Sequence, residues 1–150
     1  MNRAIVVDAS VALKWVLFEE FTHQARALYA AALTAHRPLL VPPHCFSEVT
    51  SALYQRTRSR ESARHLTEDE AHEAFTRFSR FQVQTAAPEN LYERAFLFAR
   101  DSRLASLYDS IYVVLAELME VQLWTADQRL FTTASPAAPW VRWIGDYHQP

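Results

Sequence analysis

Four acidic residues that lie far apart in this 150-residue chain occupy the ends of predicted strands or the beginnings of predicted helices. Asp8 directly follows the apolar run at 4–7, and Asp127 comes two residues after a second apolar segment. Glu48 and Asp109 fall in the opening turns of two helices. In an open parallel sheet, all of these positions lie beyond the carboxyl ends of the strands, where ligand crevices form. The sequence therefore predicts four carboxylates in one cleft.

Such a cleft requires either protons or a cation, because ionised carboxylates repel one another. A pair about 4 Å apart costs roughly 4 kcal/mol at an effective dielectric of about 20. Arg129 is the one basic residue placed as a counter-ion. The all-oxygen donor set is the kind that Mg²⁺ or Mn²⁺ prefers, and an ion held in this way suits phosphodiester hydrolysis. Zinc is not expected, because His44 and Cys45 are adjacent and paired cysteines are absent.

Three of the acids also have a purely structural interpretation. Asp109 stands three residues after Ser106, which is a capping arrangement, and Thr125 is placed to cap a short helix that contains Asp127. Glu48 suits an exposed helix surface. Two features oppose this structural interpretation. Asp109 lies on an otherwise apolar helical stripe and Glu48 on a stripe of small residues, and neither stripe is typical of a helix face exposed to solvent.

The hydrophobic pattern that positions these acids alternates short strands with helices. The strands are predicted at 3–7, 38–41, 83–86, 122–125 and 140–144. The helices are predicted at 11–18, 22–36, 44–58, 67–81, 88–100, 106–120 and 127–134. Ser10 is predicted to cap the first helix, Thr67 and Glu70 to form a capping box, and Pro88 to lie in a first turn. The alternation indicates one α/β domain over 1–150, with a parallel sheet covered on both faces.

Composition excludes several function classes. Gly145 is the only glycine, so a glycine-rich phosphate-binding loop is excluded. No run of eighteen apolar residues is present, and the beginning of the chain reads as a strand instead of an export signal. Cys45 is the single cysteine, which fits a reducing compartment and a small buried side chain. We therefore expect a cytoplasmic protein without a membrane span.

The basic residues suggest phosphate binding, although the net charge of the chain is −2. Fourteen of the fifteen are arginine, whose guanidinium binds phosphate with two parallel hydrogen bonds, and four of them fall within 56–64. This cluster either follows an RNA backbone or is a solvated helix end. The candidates for RNA contact are Arg56, Arg58, Arg60, Arg100 and Arg103.

Four segments of the chain resemble the acidic motifs of PIN-domain endoribonucleases, and most closely those of the VapC toxins of bacterial toxin–antitoxin pairs. These segments are IVVDASVALKW, PHCFSEVTSAL, YDSIYVVLAE and LWTADQRLF. The resemblance spans nearly the whole chain in order and spacing. It implies a PIN-like α/β/α sandwich with a central parallel sheet and an RNase site that depends on Mg²⁺ or Mn²⁺.

The resemblance also implies the roles of individual residues and the partners. Asp8, Glu48, Asp109 and Asp127 fall on the acidic positions that bind metal and catalyse, with Asp8 and Asp109 nearest the ion. Ser10 and Thr125 match the small hydroxyl positions that support them. The expected partners are a structured RNA such as tRNA or a ribosomal RNA loop, a cognate VapB-type antitoxin, and a second copy of the chain in a homodimer.

Two other functions remain compatible with the sequence. One is a DNA flap or repair nuclease of the same fold, although 150 residues leave no room for the helical arches of such enzymes. The other is a non-catalytic RNA- or protein-binding module that keeps the acids for stability. Cleavage of matched RNA and DNA hairpins separates the two nucleases, and the effect of metal on unfolding identifies the module.

Overall fold

The computed structural model describes residues 4–148 and contains one five-stranded parallel sheet in the order β3-β2-β1-β4-β5. The strands are β1 (Ile5–Val7), β2 (Leu39–Val41), β3 (Gln84–Thr85), β4 (Gln122–Thr125) and β5 (Val141–Trp143). β1 is central and pairs with β2 on one side and with β4 on the other. The α/β class with a parallel sheet is therefore confirmed. The predicted first strand began at Arg3, which lies outside the described residues.

Seven α-helices connect or flank these strands in the described part of the chain. They are α1 (Ala9–Val16), α2 (Thr22–Thr34), α3 (Cys45–Thr57), α4 (Glu68–Phe78), α5 (Leu91–Ser102), α6 (Leu107–Leu118) and α7 (Gln128–Ala134), followed by a 3₁₀ turn at Ile144–Asp146. Helices α2, α3 and α4 each pack against α1, and α3 also packs against α4. Helix α5 packs along α6. None of these helices is both long and apolar enough to cross a membrane.

The core lies between the sheet and these two groups of helices. All residues of β1 and β2 are buried, as their uninterrupted apolar runs predict for strands covered on both faces. Helix α6 is buried continuously from Ser110 to Ala116 and packs against β1 and β4. Because α6 is fixed so firmly, the acid in its first turn is held at a defined place beside the sheet.

Two helix starts differ from the sequence prediction. Ser10 does not cap α1: Asp8 has extended backbone, and its carboxylate accepts the amide N–H of Val11. Helix α5 begins at Leu91 instead of Pro88, because Asn90 adopts a left-handed conformation with φ of 64° immediately before it. The capping box of Thr67 and Glu70 is confirmed, with both of its hydrogen bonds present.

The connections reverse direction beside β1, because the chain passes from β1 to β2 on one side and returns to β4 on the other. In sheets of this type, ligands bind at such a switch point, beyond the carboxyl ends of the strands. Asp8 follows β1 directly, and Thr125 ends β4. The fold therefore places two of the predicted site residues at the expected crevice.

Candidate active site

Asp8 is the buried centre of a hydrogen-bond network between β1 and β4. Its side chain is 4% exposed, and Oδ1 accepts hydrogen bonds from the Ser10 hydroxyl at 2.5 Å and the Val11 amide at 3.1 Å. Oδ2 accepts the hydroxyl of Thr125 at 2.5 Å. These donors satisfy a carboxylate that burial alone would make very costly. Burial nevertheless dominates and raises the pKa of Asp8 to about 6.

The two hydroxyls that hold Asp8 also hold the turn between β4 and α7. Ser10 Oγ accepts the amide N–H of Ala126 at 2.9 Å, and Thr125 Oγ1 accepts that of Asp127 at 3.0 Å. Each hydroxyl therefore donates to the carboxylate and accepts from the backbone. This arrangement ties the position of Asp127 to that of Asp8, in line with the supporting role predicted for Ser10 and Thr125.

Asp127 itself caps α7. Its Oδ1 accepts the amide N–H groups of Arg129 at 2.8 Å and Leu130 at 3.2 Å. The interpretation in which Thr125 caps this helix is therefore wrong, because the capping residue is Asp127 itself. Oδ2 of Asp127 makes no hydrogen bond within residues 4–148. One carboxylate oxygen thus fixes the residue, and the other is available to a ligand.

Asp109 has no comparable partner. Its half-buried carboxylate accepts no hydrogen bond in the part of the chain that the structure describes, and Ser106 makes no side-chain cap. Burial raises the pKa of Asp109 to about 6, with further contributions from the charges of Asp127 and Glu48. His44 and Arg129 act in the opposite direction. The capping interpretation is therefore wrong for Asp109.

Glu48 is held by two residues that the sequence analysis did not assign to the site. Its Oε1 accepts the Tyr112 hydroxyl at 2.7 Å, and His44 Nε2 lies 3.2 Å from the same oxygen without making a hydrogen bond. His44 and Glu48 are one helical turn apart, and so are Asp109 and Tyr112. These spacings were visible in the sequence, but the pairing of α3 with α6 was not.

The four acids form a row of neighbouring charges at the carboxyl edge of the sheet. The charge of Asp127 raises the pKa of both Asp8 and Asp109, and that of Glu48 raises the pKa of Asp109. Asp109 and Asp127 also line a cavity of about 230 Å³ together with Arg103 and Arg129. The predicted counter-ion, Arg129, therefore lies beside the acids.

The donor set fits a hard divalent cation, although the side chains do not form a closed ligand shell. Within residues 4–148, no three His, Cys, Asp or Glu side chains stand close enough to hold a metal ion as arranged. The four acids therefore stand as a row of neighbouring pairs, and their meeting around one ion stays a prediction. Asp109 is free of hydrogen bonds, so its side chain is able to turn toward an ion. Burial raises the pKa of the Cys45 thiol to about 12, and this free cysteine is the small buried side chain that the sequence predicts.

The five candidate arginines have different surroundings. Arg56 binds Glu19 at 2.8 Å, and Arg100 binds Asp101 at 2.8 Å. Arg58 lies over the ring of Tyr54, and Arg60 is exposed. Of the five, Arg103 lines the cavity that contains acids.

The profile of the PIN domain family matches residues 5–135, a span that contains all four acids. The chain belongs to the PIN-domain family. This PIN domain is 36% identical over 135 residues to VapC ribonuclease Mb0985 of Mycobacterium bovis, covering 90% of this chain and 94% of that protein.

A second relative and a solved structure extend the comparison. Ribonuclease VapC9 of Mycobacterium tuberculosis is also 36% identical to this PIN domain over 135 residues, with the same coverage. The crystal structure of PAE2754 from Pyrobaculum aerophilum matches the fold with a TM-score of 0.62 at 16% identity, covering 97% of this chain and 93% of that one. The predicted resemblance to VapC-type PIN domains, and the PIN-like fold, are confirmed.

Proposed function

We propose that this single PIN domain is the toxin of a type II toxin–antitoxin pair, an endoribonuclease that hydrolyses phosphodiester bonds in structured RNA with the help of Mg²⁺ or Mn²⁺. The observation that carries the proposal is the row of four carboxylates at the switch point of the sheet. Burial and mutual repulsion raise the pKa of two of them to about 6. The negative charges of the carboxylates attract a divalent cation, and the bound cation relieves the repulsion between them.

The acids that would hold the ion differ in how they are fixed. We assign Asp8 and Asp109 as the closest ligands of the ion. Glu48 and the free oxygen of Asp127 would complete the ligand set, directly or through water. Asp8 is held by its three donors, so it provides a fixed reference point, whereas Asp109 adjusts. A divalent ion held by these acids would supply a water made more acidic for attack on phosphorus and positive charge to offset the negative charge of the phosphate.

The remaining groups of the cavity act on the RNA. Arg103 and Arg129 line the same cavity as Asp109 and Asp127, so a phosphate there meets guanidinium groups beside the acids. Their positive charge compensates for a chain that is acidic overall. Tyr112 keeps Glu48 in place through the 2.7 Å hydrogen bond and thereby prevents it from turning to solvent.

The test is cleavage of RNA hairpins by the wild type and by Asp8→Asn, with Mg²⁺ and with a chelator. We expect cleavage by the wild type with Mg²⁺ alone and a loss of roughly 10²–10³-fold in the variant. Glu73→Gln, which neutralises an exposed acid on α4, is the matched control and should cleave normally. Equal cleavage by Asp8→Asn and the wild type would refute the assigned site, and preference for matched DNA hairpins would indicate a DNA nuclease.

The substrate class is the second part of the proposal. We infer that it is tRNA or a ribosomal RNA loop in the cytoplasm, on the basis of the relatedness to VapC proteins. Sequencing the RNA ends that accumulate after brief induction in cells identifies both the activity and the target. Ends scattered over unrelated messages would contradict a structured target.

A VapB-type antitoxin is the proposed inhibitor, and a second copy of this chain is the proposed stable partner. The homodimer is supported by exposed apolar side chains on α5 and at the start of α6, a pair of helices that pack along each other. They are Phe96, Leu97 and Leu107, which are 61%, 39% and 44% exposed. Exposed apolar patches of this kind mark interaction surfaces.

We expect Phe96→Asp to convert the dimer to a monomer, because a charge at this exposed position would be buried without a partner in the interface. Sedimentation equilibrium measures the change. Phe18→Asp is the control, since Phe18 is 78% exposed beyond the end of α1 and belongs to neither α5 nor α6. A Phe96→Asp protein that remains dimeric would exclude this face.

A further inference from the structure

Three ring side chains form a row beside the acids. The ring of His44 lies 5.1 Å from that of Tyr108 and 5.0 Å from that of Tyr112, measured between centroids. Tyr108 and Tyr112 are one turn apart on α6, and His44 directly precedes α3. We call these three residues the aromatic row. It joins the beginnings of the two helices that carry Glu48 and Asp109.

The row passes from the core to the surface. Tyr112 is 1% exposed and donates to Glu48, whereas Tyr108 is 59% exposed. The Tyr108 hydroxyl makes no hydrogen bond within residues 4–148. The fold therefore does not need this tyrosine for burial or for a polar contact. Its ring nevertheless packs against the ring of His44.

The row also lies next to the reacting centre. Tyr108 directly precedes Asp109, and His44 is near enough to Asp109 to lower its pKa. The rings do not line the cavity that contains Arg103 and Arg129. An RNA strand with a phosphate at the acids would therefore meet the arginines inside this cavity and the exposed ring of Tyr108 outside it.

We propose that Tyr108 is a specificity-determining residue whose ring stacks on an unpaired base of the RNA next to the cleaved phosphate. A base within a duplex already has neighbours on both faces, whereas an unpaired base is free to stack on an aromatic side chain. The ring therefore selects single-stranded nucleotides at the site of cleavage. This inference rests on the ribonuclease activity proposed above and adds to it the local structure of the substrate.

The test compares Tyr108→Ala, Tyr108→Phe and Tyr108→Trp on an RNA hairpin with an unpaired loop. We expect Tyr108→Ala to lower kcat/KM by roughly 10- to 100-fold, mainly through a higher KM, because stacking contributes to binding of each base. Tyr108→Phe and Tyr108→Trp keep an aromatic face and should stay close to the wild type. Unchanged thermal unfolding of Tyr108→Ala is expected, since the side chain is largely exposed.

Phe18→Ala is the control for loss of an exposed ring. Phe18 is 78% exposed and lies beyond the end of α1, outside both α5 and α6. It should leave cleavage unchanged. Equal cleavage by Tyr108→Ala and the wild type overturns the inference. A loss that accompanies dissociation of the dimer also overturns it, because Tyr108 would then contact protein.

A binding measurement separates failure of the inference from failure of the proposed function. A single-stranded oligoribonucleotide with 2-aminopurine at successive positions is titrated with the protein without divalent metal. Stacking should quench the fluorescence at one position with the wild type and Tyr108→Phe, and the quenching should be lost with Tyr108→Ala. Quenching without any cleavage would refute the ribonuclease but keep the base contact. Cleavage with no quenching that depends on Tyr108 would refute the base contact alone.

Discussion

Asp109→Asn is expected to reduce RNA cleavage by roughly 10²–10³-fold and, without metal, to make the protein more stable. The cleavage is lost because the carboxylate that is assigned to the ion becomes a neutral amide. The stability rises because ionised Asp109 is partly desolvated, lies near Asp127 and Glu48, and has no hydrogen-bond donor in the described part of the chain. Asparagine has nearly the same shape and does not carry the charge.

The pH dependence of this gain follows from the raised pKa. In the folded protein, the pKa of Asp109 is about 6, compared with 3.8 as its ordinary value. Ionisation of Asp109 therefore lowers the unfolding free energy of the wild type as the pH rises from about 4 through 6. The advantage of Asp109→Asn should be small near pH 4 and complete above about pH 7, at about 1 kcal/mol. Two pKa units correspond to about 3 kcal/mol, but solvent screens this half-exposed group.

Urea unfolding in a chelator measures this difference at each pH, with Glu73→Gln as the control for a general charge effect. Adding Mg²⁺ should reverse the order of stability, because the ion binds the wild type more tightly than the variant. A variant that is no more stable than the wild type at pH 7 would contradict the account of repulsion. A variant that still cleaves would contradict the assignment of Asp109.

Thr125→Val is expected to destabilise the protein by about 2–4 kcal/mol and to reduce cleavage. Valine has the same shape as threonine but removes the donor to Asp8 Oδ2 and the acceptor of the Asp127 amide. Leaving a buried polar group unpaired costs about 1–3 kcal/mol, more for a charged one. Thr125 is fully buried, so water does not replace the hydroxyl.

Thr125→Ser is the matched variant, because it keeps the hydroxyl and loses only a methyl group. Its unfolding free energy should fall by about 1 kcal/mol, and its cleavage should stay near that of the wild type. Urea unfolding and cleavage assays measure both variants. If serine proved as damaging as valine, the methyl group would matter and the hydrogen bonds would not.

The strands and helices could be predicted because their signals are local. Continuous apolar runs identify β1 and β2, and the capping box at Thr67 and Glu70 identifies the start of α4. The start of α5 was predicted at Pro88 but lies at Leu91. Asn90 has a left-handed backbone conformation, which the nearby proline does not indicate.

The candidate site could be predicted only as a set of residues. The acids follow from the places where strands end and helices begin, but their hydrogen-bond partners lie far away in sequence. Thr125 is 117 positions from Asp8, and Tyr112 is 64 positions from Glu48. Such pairs depend on how α6 and β4 pack, which periodicity does not determine. For the same reason, the commitment of Arg56 to Glu19, 37 positions away, was not visible.

The central claim is that Asp8 and Asp109 share one divalent cation, and a crystal structure with Mn²⁺ tests it most directly. The anomalous signal of Mn²⁺ locates the ion independently of the protein atoms. We predict a single strong peak about 2.1 Å from a carboxylate oxygen of each residue, with Glu48 and Asp127 facing it. A peak elsewhere, or none at a concentration that supports cleavage, would contradict the account.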